Sequence, residues 1–279
     1  MSDASEPSAV GGPTGGASVA GSVAPPSGST RVAVPRAGWH VATVARTRRE
    51  TPSAARLDLE VDGWPGNAAG QHLDVRLTAE DGYTATRSYS IASSGPGSRV
   101  VLAVDELPDG EVSPFLVEAV RPGDRLEVHG PLGAFFVWRP QAAAGAPRPV
   151  QLIAGGSGVV PLFAMAQAHA DADDPTPFRL LYAVRTPEDV YFAEELAALA
   201  AARAPFRLDV VYSRRVPDGW PTPPGRITRE QLEAAAIPAA DRPIVYVCGS
   251  TGFVERVASW LIDLGHDPRD IRTERFGGT

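Results

Sequence analysis

The chain has 279 residues, of which 43% are hydrophobic, and its formal net charge is −7 at pH 7. This length allows two medium-sized domains, and the acidic balance argues against a nucleic-acid-binding protein built on a broad basic face. All 26 Lys and Arg positions hold arginine, so mechanisms that need a Schiff-base lysine or a P-loop lysine are excluded.

One cysteine, Cys248, and five scattered histidines limit the metal chemistry of the chain. A single thiol permits neither an intrachain disulfide nor a cysteine-ligated iron–sulfur cluster, which needs about four thiolates. The histidines form no metal-ligand pair at helical spacing, so we expect no metal site. No apolar run reaches the roughly 18 residues of a membrane span. No signal peptide is visible, and we expect a cytoplasmic protein.

The first part of the chain predicts a tail followed by a barrel. Residues 1–35 are rich in Gly, Pro, Ala and Ser and are expected to be a disordered tail. Residues 36–140 are predicted to form an antiparallel β-barrel domain, because short β-forming stretches alternate with turn signals. The predicted strands lie within residues 39–47, 55–61, 72–78, 87–93, 99–107 and 121–130. One helix is predicted over residues 113–120, with Ser113 as its N-cap and Pro114 as its first residue.

The sequence Arg87-Ser88-Tyr89-Ser90 lies on one of the predicted barrel strands and has two interpretations. It is either an ordinary amphipathic strand, or a strand that presents a guanidinium, an aromatic ring and a hydroxyl to a ligand. Because side chains alternate along a strand, Ser88 is expected to face away from at least one of the contacts made by Arg87 and Tyr89. The strand alone does not decide between the two interpretations.

The second part of the chain predicts a different architecture. A linker is predicted over residues 139–149, and residues 141–279 are predicted to form an α/β domain with a doubly wound parallel sheet, because apolar β-runs alternate with helical stretches. The predicted strands are 150–154, 178–184, 206–212, 244–248 and 271–279, and the later helices are 189–204, 227–236 and 253–265. Ligands of such sheets bind at the carboxyl ends of the strands.

Residues with useful chemistry follow the first three strands of this sheet. The Gly-Ser-Gly turn at residues 156–158 opens a helix whose free N–H groups could bind a phosphate, although any tight strand–helix turn needs glycine. The second strand ends at Arg185, where NAD-selective folds commonly have an acid. Ser-Arg-Arg at residues 213–215 forms either a solvated loop or a site for the 2′-phosphate of NADPH, and its place at a strand end favours the phosphate site.

The last two strands carry further candidates. Cys248 is either a small core residue or, with Gly249 beside it at a strand–helix turn, a residue close to the edge of a ligand. Glu274 and Phe276 lie near the same edge of the sheet. Because terminal segments are often frayed, their position alone does not indicate a functional role.

These pieces occur in an order that resembles the ferredoxin–NADP reductase superfamily, over residues 38–279. The motifs that carry the resemblance are RSYS, GEVSPFL, GPLGAFF, GGSGVVP, YAVRTPEDVYFAEEL, YSRR, YVCGSTGFV and ERFG. The resemblance implies an FAD-binding barrel followed by a nicotinamide-binding domain. The sequence departs from many members at Ser157, where they have Thr, and at its end, where three residues follow Phe276.

The resemblance also implies roles for individual residues. In the implied FAD site Arg87 pairs with the pyrophosphate, Tyr89 packs on the flavin and Ser90 lies near flavin N5. The implied FAD-binding residues are Arg87, Tyr89, Ser90, Gly110, Val112, Ser113 and Phe276. The implied nicotinamide-nucleotide residues are Gly156, Ser157, Gly158, Arg185, Ser213, Arg214, Cys248 and Gly249. The implied catalytic residues are Ser90, Cys248 and Glu274.

The resemblance implies an oxidoreductase that transfers hydride from NADPH, or from NADH, to FAD. Electrons would then pass singly to a separate redox protein such as ferredoxin, and any iron–sulfur centre would lie on that partner. Two alternatives stay open. One is a reductase of free flavin, ferric chelates or quinones without a protein acceptor, and the other is a non-catalytic flavin-binding electron-transfer subunit.

Overall fold

The computed structural model describes residues 37–140, 147–202 and 205–276. The predicted tail lies outside the described residues, as do residues 141–146 of the predicted linker and residues 277–279 of the predicted last strand. The domain bounds at residues 35 and 140 therefore stay predictions. None of the helices in the described ranges is long and apolar enough to cross a lipid bilayer.

The first half of the described chain forms a six-stranded antiparallel sheet. Its strand order is β4-β3-β6-β1-β2-β5, and an antiparallel bridge between Ile91 and Leu102 joins the residue after β4 to β5. The inward side chains of these strands form one buried core, as expected for a sheet that curls on itself. The strands are β1 (Gly38–Thr51), β2 (Ala54–Val61), β3 (His72–Thr78), β4 (Thr84–Ser90), β5 (Arg99–Asp105) and β6 (Arg125–Leu132).

The predicted helix of this half is present, but it is irregular: Ser113 and Pro114 are α-helical and the residues after them form a π-helical turn. The π-helical turn is Phe115–Ala119, and Pro114 stands at its N-terminal cap. The Ser113 hydroxyl instead accepts a hydrogen bond from the backbone N–H of Leu107, 3.0 Å away. Ser113 thereby ties the start of the turn to the segment that follows β5, and the N-cap prediction is wrong.

The second half forms a five-stranded parallel sheet with strand order β11-β10-β7-β8-β9. The central strand β7 is almost fully buried, as expected when helices cover both faces of a sheet. Helices α1 and α2 pack on one face and α3 and α4 on the other. The strands are β7 (Val150–Gly155), β8 (Phe178–Val184), β9 (Phe206–Tyr212), β10 (Ile244–Ser250) and β11 (Ile271–Phe276), and the helices are α1 (Val159–Asp171), α2 (Ala193–Ala201), α3 (Arg229–Ala235) and α4 (Thr251–Asp263).

The predicted architecture, an antiparallel barrel with one helix followed by a doubly wound parallel sheet, is confirmed. The predicted start of the second helix at residue 189 is wrong by four residues. Asp189 belongs to a capping box with Thr186 that closes a separate short turn, and Phe192 adopts a left-handed conformation, with φ of 53°, directly before α2. Each feature interrupts the continuous helix that the periodicity predicts.

The parallel sheet and the outer surface of the barrel share one hydrophobic core. Buried residues of α1, β7 and β8 cluster with small side chains on the barrel, which include Ala54, Ala69 and Ala103. Gly70 permits this contact, because a Cβ atom there would lie 2.2 Å from the carbonyl oxygen of Phe136 and 2.5 Å from the methyl of Met165. This packing brings the edge of the barrel next to the carboxyl ends of the parallel strands.

Candidate active site

A cleft of about 970 Å³ lies between the barrel and the carboxyl ends of the parallel strands. It includes the ends of β7 and β10, between which the strand order reverses direction, and such switch points are where open α/β sheets bind ligands. Most of the residues singled out from the sequence line this cleft. They are Arg87, Tyr89, Ser90, Gly110, Val112, Ser113, Gly156, Ser157, Arg185, Ser213, Gly249 and Phe276.

Strand β4 forms the barrel wall of the cleft. Arg87 is exposed, Tyr89 is partly buried and Ser90 is buried. Burial raises the pKa of Tyr89 to about 12, so its phenol stays neutral at physiological pH. The Ser90 hydroxyl has no hydrogen-bond partner among the described residues, and a buried hydroxyl without a partner is costly. The wall therefore offers a cation, a ring and an unsatisfied hydroxyl on seven residues of strand.

Ser88 also lines the cleft, but its hydroxyl donates to Asp74 on the neighbouring strand β3. It is therefore already satisfied, in contrast to Ser90. Ser88, which is expected to face away from at least one of the ligand contacts of Arg87 and Tyr89, thus has a hydrogen-bond partner within the barrel.

The loop before the π-helical turn forms the second part of the barrel wall. Gly110, Val112 and Ser113 line the cleft there, and a side chain at Gly110 would crowd the carbonyl of Leu107 and the hydroxyl of Ser113. Glu111 accepts a hydrogen bond from Arg87 at 3.3 Å. The loop thus holds the guanidinium of Arg87 at the mouth of the cleft, where an anion can reach it.

The Gly-Ser-Gly turn contributes two different glycines. Gly156 has φ of +56° and open space where a Cβ would lie, so its backbone faces the cleft. Gly158 is buried, and a Cβ there would lie 2.3 Å from the carbonyl oxygen of Cys248. Gly156 and Ser157 can therefore approach a ligand, whereas Gly158 lets the start of α1 pack against β10.

The arginines near the strand ends divide into free and occupied groups. Arg185 lines the cleft, but Arg214 is exposed outside its lining, and Arg215 forms an ion pair with Glu188. Arg226 and Arg256 also line the cleft. No side-chain hydrogen bond or ion pair joins Arg185, Arg226 or Arg256 to another described residue. Of these three free guanidiniums, Arg185 was predicted from the sequence, whereas Arg226 and Arg256 were not.

Sequence reasoning missed Arg226 and Arg256 for two reasons. Arg226 follows the Pro-Pro-Gly turn at residues 223–225, and that turn is the signal that could have marked a loop returning to the ligand edge. Arg256 lies in the second turn of α4, where an arginine in sequence is indistinguishable from one on a solvated helix face.

At what we call the inner end, Cys248 and Glu274 lie together on neighbouring strands, although neither is among the residues that line the cleft. The two residues are register partners in β10 and β11. Burial raises the pKa of the Cys248 thiol, and Glu274 raises it further, so the thiol is neutral at physiological pH. Burial also raises the pKa of Glu274 from its usual 4.5 to about 7. One of its oxygens, Oε2, has no hydrogen-bond partner among the described residues.

His72 is a third member of this inner end, and the sequence did not indicate it. Its Nδ1 lies 3.8 Å from Oε1 of Glu274, and it is the register partner of Ser90 between β3 and β4. Burial lowers the pKa of His72, although the charge of Asp74 partly offsets this effect. A neutral imidazole therefore stands beside a carboxyl group that gains or loses its proton near pH 7.

Comparison with known families agrees with both halves of this site. The family described as the oxidoreductase FAD-binding domain matches residues 43–137. The family described as the oxidoreductase NAD-binding domain matches residues 152–259. The chain belongs to the ferredoxin–NADP(+) reductase superfamily. It is thus built as an FAD-dependent NAD(P)H oxidoreductase, as predicted, with sites for FAD and a nicotinamide dinucleotide.

Individual relatives have the same two domains. The glycine betaine monooxygenase reductase subunit of Chromohalobacter salexigens is 33% identical over 75% of this chain and 56% of its own length. The flavohemoprotein of Rhodopirellula baltica is 32% identical over 75% of this chain and 52% of its own length. The chain thus spans about half the length of these curated relatives.

A solved structure shows the same likeness in three dimensions. The FAD/NAD-binding domain of nitric oxide dioxygenase from Vibrio cholerae is 26% identical, with a TM-score of 0.75, and the match covers 86% of this chain and 99% of that one.

No group of three or more His, Cys, Asp or Glu within the described residues is arranged to hold a metal ion.

We expect Glu274→Gln to remove a pH-dependent loss of stability. A carboxyl whose pKa is about 7 in the folded protein and 4.5 when unfolded stabilises the fold at low pH, and this contribution is lost as the pH rises through 7. Relative to the glutamine variant, wild-type protein should lose about 2 kcal/mol of unfolding free energy between pH 5 and pH 8. Urea denaturation at both pH values measures the difference.

Glu127→Gln is the control, because an arginine neighbour lowers the pKa of Glu127 and moves its titration below this range. Wild-type and Glu274→Gln proteins with parallel pH dependence would contradict the assigned titration of Glu274.

Proposed function

We propose that the protein transfers hydride from NADPH to FAD and passes the electrons singly to a separate redox protein, such as a ferredoxin. One observation carries the proposal. The barrel strand with Arg87, Tyr89 and Ser90 and the carboxyl ends of the nicotinamide-domain strands face one continuous cleft. A single cavity can therefore hold two cofactors with their reactive rings together, which is the main requirement for hydride transfer between them.

The barrel wall suits the FAD pyrophosphate and flavin. Arg87 offers a fixed charge for a phosphate, and the loop of Gly110, Val112 and Ser113 leads into a helical turn at which anions bind favourably. The partly buried ring of Tyr89 can pack on the flavin. The Ser90 hydroxyl, which has no partner among the described residues, would gain one from a bound flavin, and this would remove the cost of its burial.

The opposite wall suits the phosphates of a nicotinamide dinucleotide. The open backbone at Gly156 and the Ser157 hydroxyl are available to the pyrophosphate. Arg185 and Ser213 remain candidates for the 2′-phosphate, and Arg226 joins them because its guanidinium is free and lines the cleft. Arg214 is placed less favourably than the sequence predicts. A wall with several free arginines and no free acid at the second strand end supports NADPH over NADH.

When bound, FAD accepts two electrons as hydride and can release them one at a time. The residues of the chain have positioning and proton-handling roles around this chemistry. Phe276 lines the cleft and packs on the shared core, so it can cover the flavin until the nicotinamide enters. Cys248 is fully buried and precedes Gly249, which lines the cleft, so it would act on the nicotinamide through packing rather than through direct contact. Glu274, with His72 next to it, can exchange a proton near neutral pH and can relay it toward Ser90.

The names of two relatives support a protein acceptor. One is the reductase subunit of glycine betaine monooxygenase, and another is the electron transfer component of toluate 1,2-dioxygenase from Pseudomonas putida, 29% identical over 75% of this chain and 59% of its own length. These 279 residues contain one cysteine, so a cysteine-ligated iron–sulfur acceptor must lie elsewhere. We infer that this protein is the reductase of such an electron-transfer system.

Anaerobic titration of the purified protein tests the reaction. The protein should be yellow, and NADPH should bleach its flavin absorbance in the absence of oxygen. Added ferredoxin should then be required for rapid reduction of cytochrome c. Equally fast turnover with free flavin, ferric chelate or quinone and no effect of ferredoxin would favour the acceptor-independent alternative. A wild-type protein that binds no FAD, or whose flavin neither nucleotide bleaches, would refute the proposal.

Arg87→Ala should weaken FAD binding by about ten- to a hundredfold, the effect of losing one charge-assisted contact to a phosphate. The measured quantity is the ratio of flavin to protein after gel filtration, followed by titration with FAD. Arg76→Ala is the matched control, because Arg76 lies in the same barrel but bonds to Glu127 on its outer surface. Equal FAD retention in the two variants would argue against the phosphate role of Arg87.

Arg226→Ala should raise the dissociation constant of NADPH at least about tenfold, since a charge-assisted contact is lost, and should change that of NADH little. Arg214→Ala is the comparison from the neighbouring loop and should have a smaller effect. Flavin bleaching at graded concentrations of each nucleotide gives both constants. A larger effect at Arg214 than at Arg226 would return the 2′-phosphate role to the residue predicted from sequence.

A further inference from the structure

A third polar group lines the cleft, separate from the phosphate loop and the inner end. It consists of Thr51 at the end of β1, Asp105 at the end of β5 and Tyr191 between β8 and α2. Thr51 and Asp105 are both register partners of Ala54, which opens β2. The barrel thus presents these two side chains along one row, and the nicotinamide domain presents Tyr191. We call these three residues the hydroxyl subsite.

Tyr191 is held by contacts on both sides of its backbone. Its N–H donates to the hydroxyl of Tyr182 at 3.3 Å, and the next N–H, of Phe192, donates to Oε1 of Glu50 at 2.5 Å. The Phe192 ring stacks on Phe163 with a centroid separation of 4.0 Å. This segment is therefore fixed to the barrel and to the core of the sheet, and the direction of the Tyr191 side chain is fixed with it.

The two hydroxyls of the subsite are buried and make no well-formed hydrogen bond. Thr51 is 6% exposed and Tyr191 is 3% exposed, and neither hydroxyl oxygen makes a hydrogen bond of good geometry among the described residues. The three side chains are neighbours, since Asp105 and Thr51 both lie close enough to interact with the Tyr191 phenol. Burial raises the pKa of the Tyr191 phenol, and the charge of Asp105 raises it further, so the phenol stays protonated. Leaving such groups unpaired costs roughly 1–3 kcal/mol each, and a ligand that bonds to them removes this cost.

Asp105 determines which ligands suit the subsite. Ser53 donates to one of its carboxylate oxygens at 2.7 Å, and the Tyr191 phenol lies close enough to interact with the carboxylate. A carboxylate repels a phosphate placed beside it and accepts bonds from a vicinal diol. The neighbouring acids are occupied, because Asp189 caps the turn at Thr186 and Glu188 pairs with Arg215.

We propose that Thr51, Asp105 and Tyr191 bind ribose hydroxyls of the nicotinamide nucleotide. The inference rests on the proposed function and deepens it. Dinucleotide domains commonly bind a ribose diol with an acid at the end of the second strand. In this chain that strand end carries Arg185, and the barrel supplies the acid from across the cleft. In NADPH the adenine ribose carries the 2′-phosphate, for which Arg185 is a candidate, so the vicinal diol that suits Asp105 is that of the nicotinamide ribose. Tyr191, six residues beyond Arg185 in the chain, supplies a hydroxyl to that diol.

Tyr191→Phe and Thr51→Val test the subsite by removing one hydroxyl each with little change of volume. Each variant should bind NADP⁺ about fivefold more weakly, the effect of losing one neutral hydrogen bond. Asp105→Asn should weaken binding by a similar or larger factor. The flavin difference spectrum on titration with NADP⁺ gives the dissociation constant. Binding of nicotinamide mononucleotide should weaken in the same way, whereas binding of adenosine 2′,5′-bisphosphate should not change. The opposite result would contradict the assignment to the nicotinamide ribose.

Tyr246→Phe is the control, because the Tyr246 hydroxyl donates to the carbonyl of Val137 outside the cleft. It should bind NADP⁺ like wild type. In the absence of nucleotide Tyr191→Phe and Thr51→Val should melt close to wild type, since the hydroxyls that they remove make no hydrogen bond of good geometry among the described residues. This readout separates a binding role from a structural one.

Unchanged NADP⁺ affinity in all three variants, in protein whose flavin NADPH still bleaches, would overturn the subsite and leave the proposed function intact. Loss of FAD with unchanged NADP⁺ affinity would assign the subsite to the flavin nucleotide and overturn the proposal. Wild-type protein that NADPH does not bleach would refute the proposed function itself.

Discussion

The packing of helix α1 between the parallel sheet and the outside of the barrel is the constraint on which the cleft depends. One hydrophobic core runs through both halves, so neither wall of the cleft can move without disturbing buried contacts. The barrel contributes small alanines and Gly70 to this contact, and larger side chains there would separate the walls. Close packing of this kind converts two separate binding folds into one rigid site.

The charge of the cleft is opposite in sign to the net charge of the chain. The protein is acidic, yet five arginines line the cleft: Arg87, Arg185, Arg226, Arg256 and Arg275. All three acids in the lining already have partners: Glu111 pairs with Arg87, Asp189 caps the turn at Thr186, and Asp105 accepts a hydrogen bond from Ser53. Guanidinium groups keep their charge at any physiological pH. The protein is acidic but its cleft is basic. An anionic dinucleotide is therefore attracted to the cleft rather than to the rest of the surface.

Much of the fold could be predicted from the sequence, because hydrophobic periodicity and turn signals are local. The barrel strands, the buried strands of the parallel sheet and the switch to α/β alternation all followed from short-range patterns. Residues at strand ends were found for the same reason, since the carboxyl edge of a parallel sheet is a single place. Gly156, Arg185 and Ser213 reach the cleft as this argument expects.

Features that depend on register or on contacts between distant segments could not be predicted. His72 meets Ser90 and Glu274 only through strand pairing and domain packing, neither of which is written in the local pattern. Gly156 and Gly158 look alike in sequence, and only the position of β10 separates an open backbone from a packing contact. Arg226 and Arg214 likewise differ in how their loops return to the sheet. The hydroxyl of Ser113 caps no helix because Leu107 folds back to it.

The ion pair of Arg87 and Glu111 affects how a cofactor phosphate could bind to Arg87. Both side chains are about half exposed, 54% and 52%, and such a pair contributes little to stability in water. The Glu111 carboxylate nevertheless occupies the position of an anionic ligand, since it keeps the Arg87 side chain extended at the mouth of the cleft. Under the proposed function, binding of a diphosphate at Arg87 would then be an exchange of one anion for another. The phosphate would not need to order the Arg87 guanidinium, because Glu111 already holds it in place.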